Sequence, residues 1–94
     1  MKNPQLPSYV SFSPEVLFQA LDDEAVLLDL ASERYLVLNE LGKRMWELLS
    51  ENGDTATAIG QLLLEYEVDE ATLRKDMVNW IGRLIELDLV SASG

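Results

Sequence analysis

The chain has no cysteine and no histidine. Without cysteine there is no disulfide, no thiolate nucleophile and no sulfur ligand for zinc. Without histidine the commonest acid–base group and the commonest metal ligand are missing as well. Positive charge is scarce: 7 lysines and arginines face 17 aspartates and glutamates, for a net charge of −10. A chain of that sign repels phosphate backbones and anionic lipid, so neither nucleic acid nor a membrane surface is an expected partner. No apolar run approaches the roughly 18–20 residues a membrane span needs. The opening MKNPQLPSYVSF has no continuous apolar stretch of a secretory signal, so the expected location is cytoplasmic.

Carboxylates are the only abundant reactive groups. Asp22-Asp23-Glu24 lacks the alternate spacing and the glycine of a calcium loop, so it reads as a solvated turn and no metal site is expected. Five scattered glycines form no phosphate loop, and no serine has a base spaced to activate it. No catalytic residue and no cofactor are expected. The reading is a non-enzyme.

What is present is an ordinary globular composition: 94 residues, 48% of them hydrophobic, enough for one core and no more. Residues 1–8, with Pro4 and Pro7, read as a flexible tail, and residues 9–91 as a single domain. Val16-Leu17-Phe18, Ala25 to Leu30 and Tyr35 to Leu38 are short β-prone runs separated by polar turns, which predicts a three-stranded antiparallel meander. At Asn39 the apolar period changes from two to 3.6. Asn39 is a natural N-cap, and Leu41, Met45, Leu48 and Leu49 form one helical stripe that Asn52-Gly53 ends. Asp54 or Thr55 caps a second helix with a stripe of Ile59, Leu62, Leu63 and Tyr66. Gly60 in its interior suggests close packing there. Asp69 caps a third helix, carrying Leu73, Met77, Trp80, Ile81 and Leu84 to about Leu87, and Leu89-Val90 tuck back onto the core. The expected fold class is α+β, three strands and then three helices.

Two elements carry surplus apolar surface. Tyr35-Leu36-Val37-Leu38 is apolar on both faces of a strand, so either the N-terminal segment covers the second face or something else does. The third helix adds Val78 and Ile85 to its main stripe, more than one side can hold. Together they can border a groove that takes an extended peptide by strand addition. Arg34, Arg74, Lys75 and Arg83, four of the seven cations, cluster on these two elements, and could contact an acidic peptide or be merely solvated.

The order of these segments resembles a known family. LLDLASERYLVLNELGKRMWELL, a helix ending near LLLEYEVD, and DMVNWIGRLIELDLV are similar to the PqqD-like domain, also called the RiPP precursor peptide recognition element. The matching positions are Leu38-Asn39-Glu40, then Asp76, Met77, Trp80, Ile81, Leu84, Leu89 and Val90. Asp88 stands where the family usually has glycine. The resemblance spans about residues 14–91. It implies a winged helix-turn-helix-like fold that holds the leader of a ribosomally made precursor peptide and presents the precursor to processing enzymes. On that resemblance the leader pairs with Glu33, Arg34, Tyr35, Leu36, Val37 and Leu38 of the third strand. Leu73, Arg74, Asp76, Met77 and Trp80 would line the helix side, with Trp80 divided between anchor and core. Among such proteins this chain looks most like the stand-alone member of lasso peptide biosynthesis, whose partners are a cysteine-protease leader peptidase and a cyclase. The PQQ pathway, with a radical SAM partner, is the next candidate.

Other readings compete. A winged-helix DNA binder needs a basic recognition helix, whereas the third helix balances Arg74, Lys75 and Arg83 against Glu70, Asp76 and Glu86. A carrier protein needs a serine at a helix start in a D-S-L setting, which is absent. An acidic interaction module of antitoxin type fits the charge equally well. A homodimer through an open strand edge is compatible with the peptide-binding reading.

Overall fold

The structure is a computed structural model that describes residues 6–93. In chain order the elements are β1 (Tyr9–Phe12), β2 (Val16–Leu21), β3 (Glu24–Asp29), β4 (Arg34–Leu38), α1 (Glu40–Asn52), α2 (Thr55–Glu65), α3 (Glu70–Glu86) and β5 (Val90–Ser93). The fold is α+β and winged helix-turn-helix-like, with the expected meander β2-β3-β4 preceding the three helices. A second, two-stranded sheet was not anticipated. In it β1 pairs antiparallel with β5, Val10 opposite Ala92 and Phe12 opposite Val90. The Leu89-Val90 segment is therefore the entry to a strand.

The local signals act as the residue types suggest. Asn39, Asp54 and Asp69 each occupy an N-cap, accepting from Gly42 N, from Ala56 and Thr57 N, and from Thr72 N respectively. Gly53 ends α1 in the left-handed region at φ +76°, with its N–H on the carbonyl of Leu49. A side chain there would also strike the Val10 carbonyl, 2.5 Å from where a Cβ would stand. At the end of α3 the Leu89 N–H reaches the Leu84 carbonyl (2.9 Å) and the Asp88 N–H that of Ile85 (3.0 Å), a Schellman motif. Asp88 itself sits at φ +59°, which is the conformation that glycine adopts without steric cost.

The core lies between the three helices and the inner face of β3. Ala25 and Leu27 pack there with Met45, Leu49, Ile59, Leu62, Leu73, Met77, Ile81 and Leu84. Trp46 is buried and closes the N-terminal side, its ring 4.3 Å from Phe12 and stacked 6.2 Å from Phe18. The Arg44 guanidinium grips Glu65 with two bonds of 2.8 and 2.7 Å and so ties α1 to α2. That bond, aided by Gln61, lowers the Glu65 carboxyl to about 2.

Three expectations change. Gly60 has nothing within 4 Å of a built Cβ, so no close packing explains it. The N-terminal segment does not cover the second face of β4, because β1 is committed to β5: Tyr35 and Val37 remain 72% and 51% exposed. Of the tail expected over residues 1–8, residues 1–5 lie outside the described residues. Residues 6–8 are held in place: Leu6 packs on the core, Thr55 Oγ1 donates to the Pro7 carbonyl, and the Thr55 N–H to that of Ser8. Among the described residues no helix is long and apolar enough to cross a membrane.

Candidate peptide-binding site

The turn between β2 and β3 fixes which way the β4 backbone points. Leu21 and Glu24 close a two-residue turn at Asp22-Asp23 and so form a hydrogen-bonded pair. Bonded pairs then recur every second residue, through Gln19–Val26 and Leu17–Leu28, and the Leu30 N–H on the Glu15 carbonyl (2.9 Å) continues the series. Ala25, Leu27 and Asp29 must therefore bond the other way, toward Leu38, Leu36 and Arg34 of β4. By alternation, the N–H and C=O groups of Tyr35 and Val37 face away from β3. Among the described residues no strand pairs with that edge.

The same alternation sorts the side chains. Arg34, Leu36 and Leu38 share the inner face with buried Leu27, while Tyr35 and Val37 stand on the outer face beside exposed Leu28 and Leu17. Between the inner face of β4 and α3 lie two adjoining hollows. One, of about 90 Å³, has a floor of Leu27, Leu36, Leu87 and Leu89, with Arg34 and Arg83 among its lining residues. The other, of about 220 Å³, is bounded by Leu36, Val37, Leu38, Asn39, Trp80 and Arg83. Leu36 and Arg83 border both, so the hollows form one cleft running alongside β4.

Helical geometry divides α3 between core and cleft. Leu73, Met77, Ile81 and Leu84 make one stripe, and all four are buried. Asp76, Trp80, Arg83 and Leu87 make the neighbouring stripe at i, i+4, i+7 and i+11, of which the last three border the cleft. Four residues expected to meet the ligand, Leu73, Arg74, Asp76 and Met77, line neither hollow. Leu73 and Met77 have 0% exposure, and their side chains serve the core. Arg74 borders neither hollow and instead pairs with Glu70 (3.0 Å) on the solvent side of α3. Asp76 is exposed and likewise borders neither. Glu33 lies in the turn before β4 at φ +60°.

Trp80 is half-buried, and its seat depends on a glycine. A Cβ on Gly42 would lie 3.3 Å from the Trp80 Nε1 and 3.3 Å from the Asn39 Oδ1, closer than side chains ordinarily approach. Gly42 thus lets the indole settle over the first turn of α1. The indole Nε1–H of Trp80 is buried and has no hydrogen-bond partner among the described residues. Asn39, Leu87 and Leu89 are cleft residues that sequence reasoning did not select. The stripe spacing from Trp80 points to Leu87, while Asn39 and Leu89 stand out in the sequence only as positions that match the family pattern.

Comparison with known proteins fits this arrangement. The family model of coenzyme PQQ synthesis protein D (PqqD) matches residues 24–90, more than half of the chain. The chain belongs to the PqqD family. The match starts at β3 and ends as β5 begins, so it contains β4, α3 and the cleft between them. A solved structure, TbiB1 in complex with the TbiA(beta) leader peptide, is similar to this PqqD-family chain with a TM-score of 0.83. The two are 30% identical, and the likeness covers 89% of this chain and 98% of that one. No curated protein matches the chain.

Proposed function

We propose that this protein binds the leader segment of a ribosomally synthesised precursor peptide and delivers the precursor to its processing enzymes. The leader adds as an antiparallel strand to the free edge of β4, with alternate side chains entering the cleft against α3. The observation that carries this reading is the open β4 edge beside an apolar cleft, in a chain similar to a protein solved with a leader peptide. Tyr35 and Val37 offer the backbone groups; Leu36, Trp80, Arg34 and Arg83 meet the side chains that enter. The processing enzymes are those of lasso peptide formation, a cysteine-protease leader peptidase and a cyclase.

The energetics suit a reversible carrier. The four backbone groups of Tyr35 and Val37 and one or two buried side chains must together offset the ordering of a flexible leader. The affinity expected of such a carrier is roughly ten-micromolar to ten-nanomolar, or about −7 to −11 kcal/mol. The test is a fluorescence-anisotropy titration with synthetic leaders from precursor genes near this protein's own. Saturable binding of one leader in that range supports the reading, and no binding by the folded protein refutes it.

A further inference from the structure

Four arginines are described in this acidic chain, and they divide cleanly. Arg44 is engaged by Glu65 and Glu47, and Arg74 by Glu70. Arg34 and Arg83 take part in no ion pair among the described residues, and both line the smaller hollow of the cleft. They come from different elements, one opening β4 and one on the cleft stripe of α3, and they flank the apolar floor around Leu36. One carboxylate shares the hollow, Asp29. It is 6% exposed, its oxygens accept from the Ala31 N–H (3.2 Å) and the Ser32 hydroxyl (2.7 Å) of its own turn, and it forms no ion pair with either arginine. Two cations therefore face the cleft with no acid among the described residues bound to them.

From this we infer that Arg34 and Arg83 form a carboxylate-selecting end of the cleft, so that the bound peptide carries an aspartate or glutamate at a set distance from its apolar anchor. The inference rests on antiparallel strand addition to β4. In that pairing, ligand residues that enter the cleft lie opposite Leu38, Leu36 and Arg34, two apart, and run N- to C-terminal in that order. The residue nearest Trp80 comes first. The one over Leu36 follows two positions later, and the one beside Arg34 and Arg83 two positions after that. The recognised segment reads apolar-x-apolar-x-acid, with the acid C-terminal to the anchors. Guanidinium groups suit this role because they hold carboxylates through two parallel bonds. In a chain of net charge −10, two arginines outside the ion pairs of the described residues also keep an acidic side chain from being repelled at this end.

The experiment uses the full chain and fluorescein-labelled synthetic leaders of the neighbouring precursor genes, read by anisotropy. In a leader that binds, each Asp and Glu is changed singly to its amide. One such change, at an acid two or four residues C-terminal to an apolar residue, is expected to weaken binding about tenfold. Arg83→Gln should weaken the unaltered leader by a similar factor, and should add little to the weakening caused by the amide. Arg83→Lys should restore part of the affinity, and the melting temperatures should show every variant folded. A leader that binds tightly whatever its acids, with Arg34→Gln and Arg83→Gln indifferent, overturns this inference and leaves leader binding standing. Failure of every leader to bind the folded protein overturns the underlying reading as well.

Discussion

Gly53 is held at φ +76° with the Val10 carbonyl directly where a side chain would begin, while Gly60 has open space around it in the middle of α2. The same substitution should thus act in opposite directions. Gly60→Ala is expected to stabilise by about 0.5–1 kcal/mol, because it limits the unfolded chain and meets nothing in the folded one. Gly53→Ala should destabilise by more than about 1 kcal/mol, since it adds a steric clash to a strained backbone. Thermal unfolding measures both, with roughly 4–8 °C per kcal/mol at this size. A second contrast separates the two stripes of α3. Met77→Ala should cost about 2–5 kcal/mol of stability through a core cavity. Trp80→Ala should leave more of the stability and instead weaken leader binding by about 2 kcal/mol, roughly thirtyfold, as loss of a cleft anchor does. Titration of both variants alongside their melting curves would sink the division if Trp80→Ala bound normally.

At the scale of elements, β4 is an edge whose outward groups belong to Tyr35 and Val37. Val37→Pro removes a donor that points away from β3, so the meander should survive while an added strand loses a bond. Leader affinity should fall at least about fivefold with circular dichroism unchanged; retained affinity in a folded variant would show that the leader does not pair there. The α1–α2 junction makes a prediction in pH. The Glu65 carboxyl falls from its ordinary 4.5 to about 2, first through its bond to Arg44 and then through that to Gln61. A lowered folded value means stability that is present above about pH 4.5 and lost as pH falls from there toward 2. Denaturation of the native chain and Glu65→Gln should therefore differ at pH 7 and converge near pH 2. Curves that stay parallel down to pH 2 would show that the pair contributes nothing to acid stability.

For the molecule as a whole, the order of the three meander strands and the three helices was legible because it is written locally. The change of period at Asn39, the capping residues Asn39, Asp54 and Asp69, and the stop at Gly53 each act within one turn of chain. The pairing of Tyr9–Phe12 with Val90–Ser93 was not legible, because it joins the two ends of the chain and neither segment has a partner nearby in sequence. The burial of Leu73 and Met77 in the core was not legible for a related reason: adjacent stripes on a helix differ by a fraction of a turn, and apolar character is common to both. What the sequence by itself determined is therefore the β2-β3-β4 meander and the three helices, the family resemblance and the exclusion of cysteine and histidine chemistry. Among the described residues, tertiary structure alone decided which edge of the sheet stays open, which stripe of α3 looks into the cleft and which arginines take part in no ion pair. Those outcomes depend on how finished elements pack against each other, a choice made by shape and burial across the chain and not by any residue's own preference.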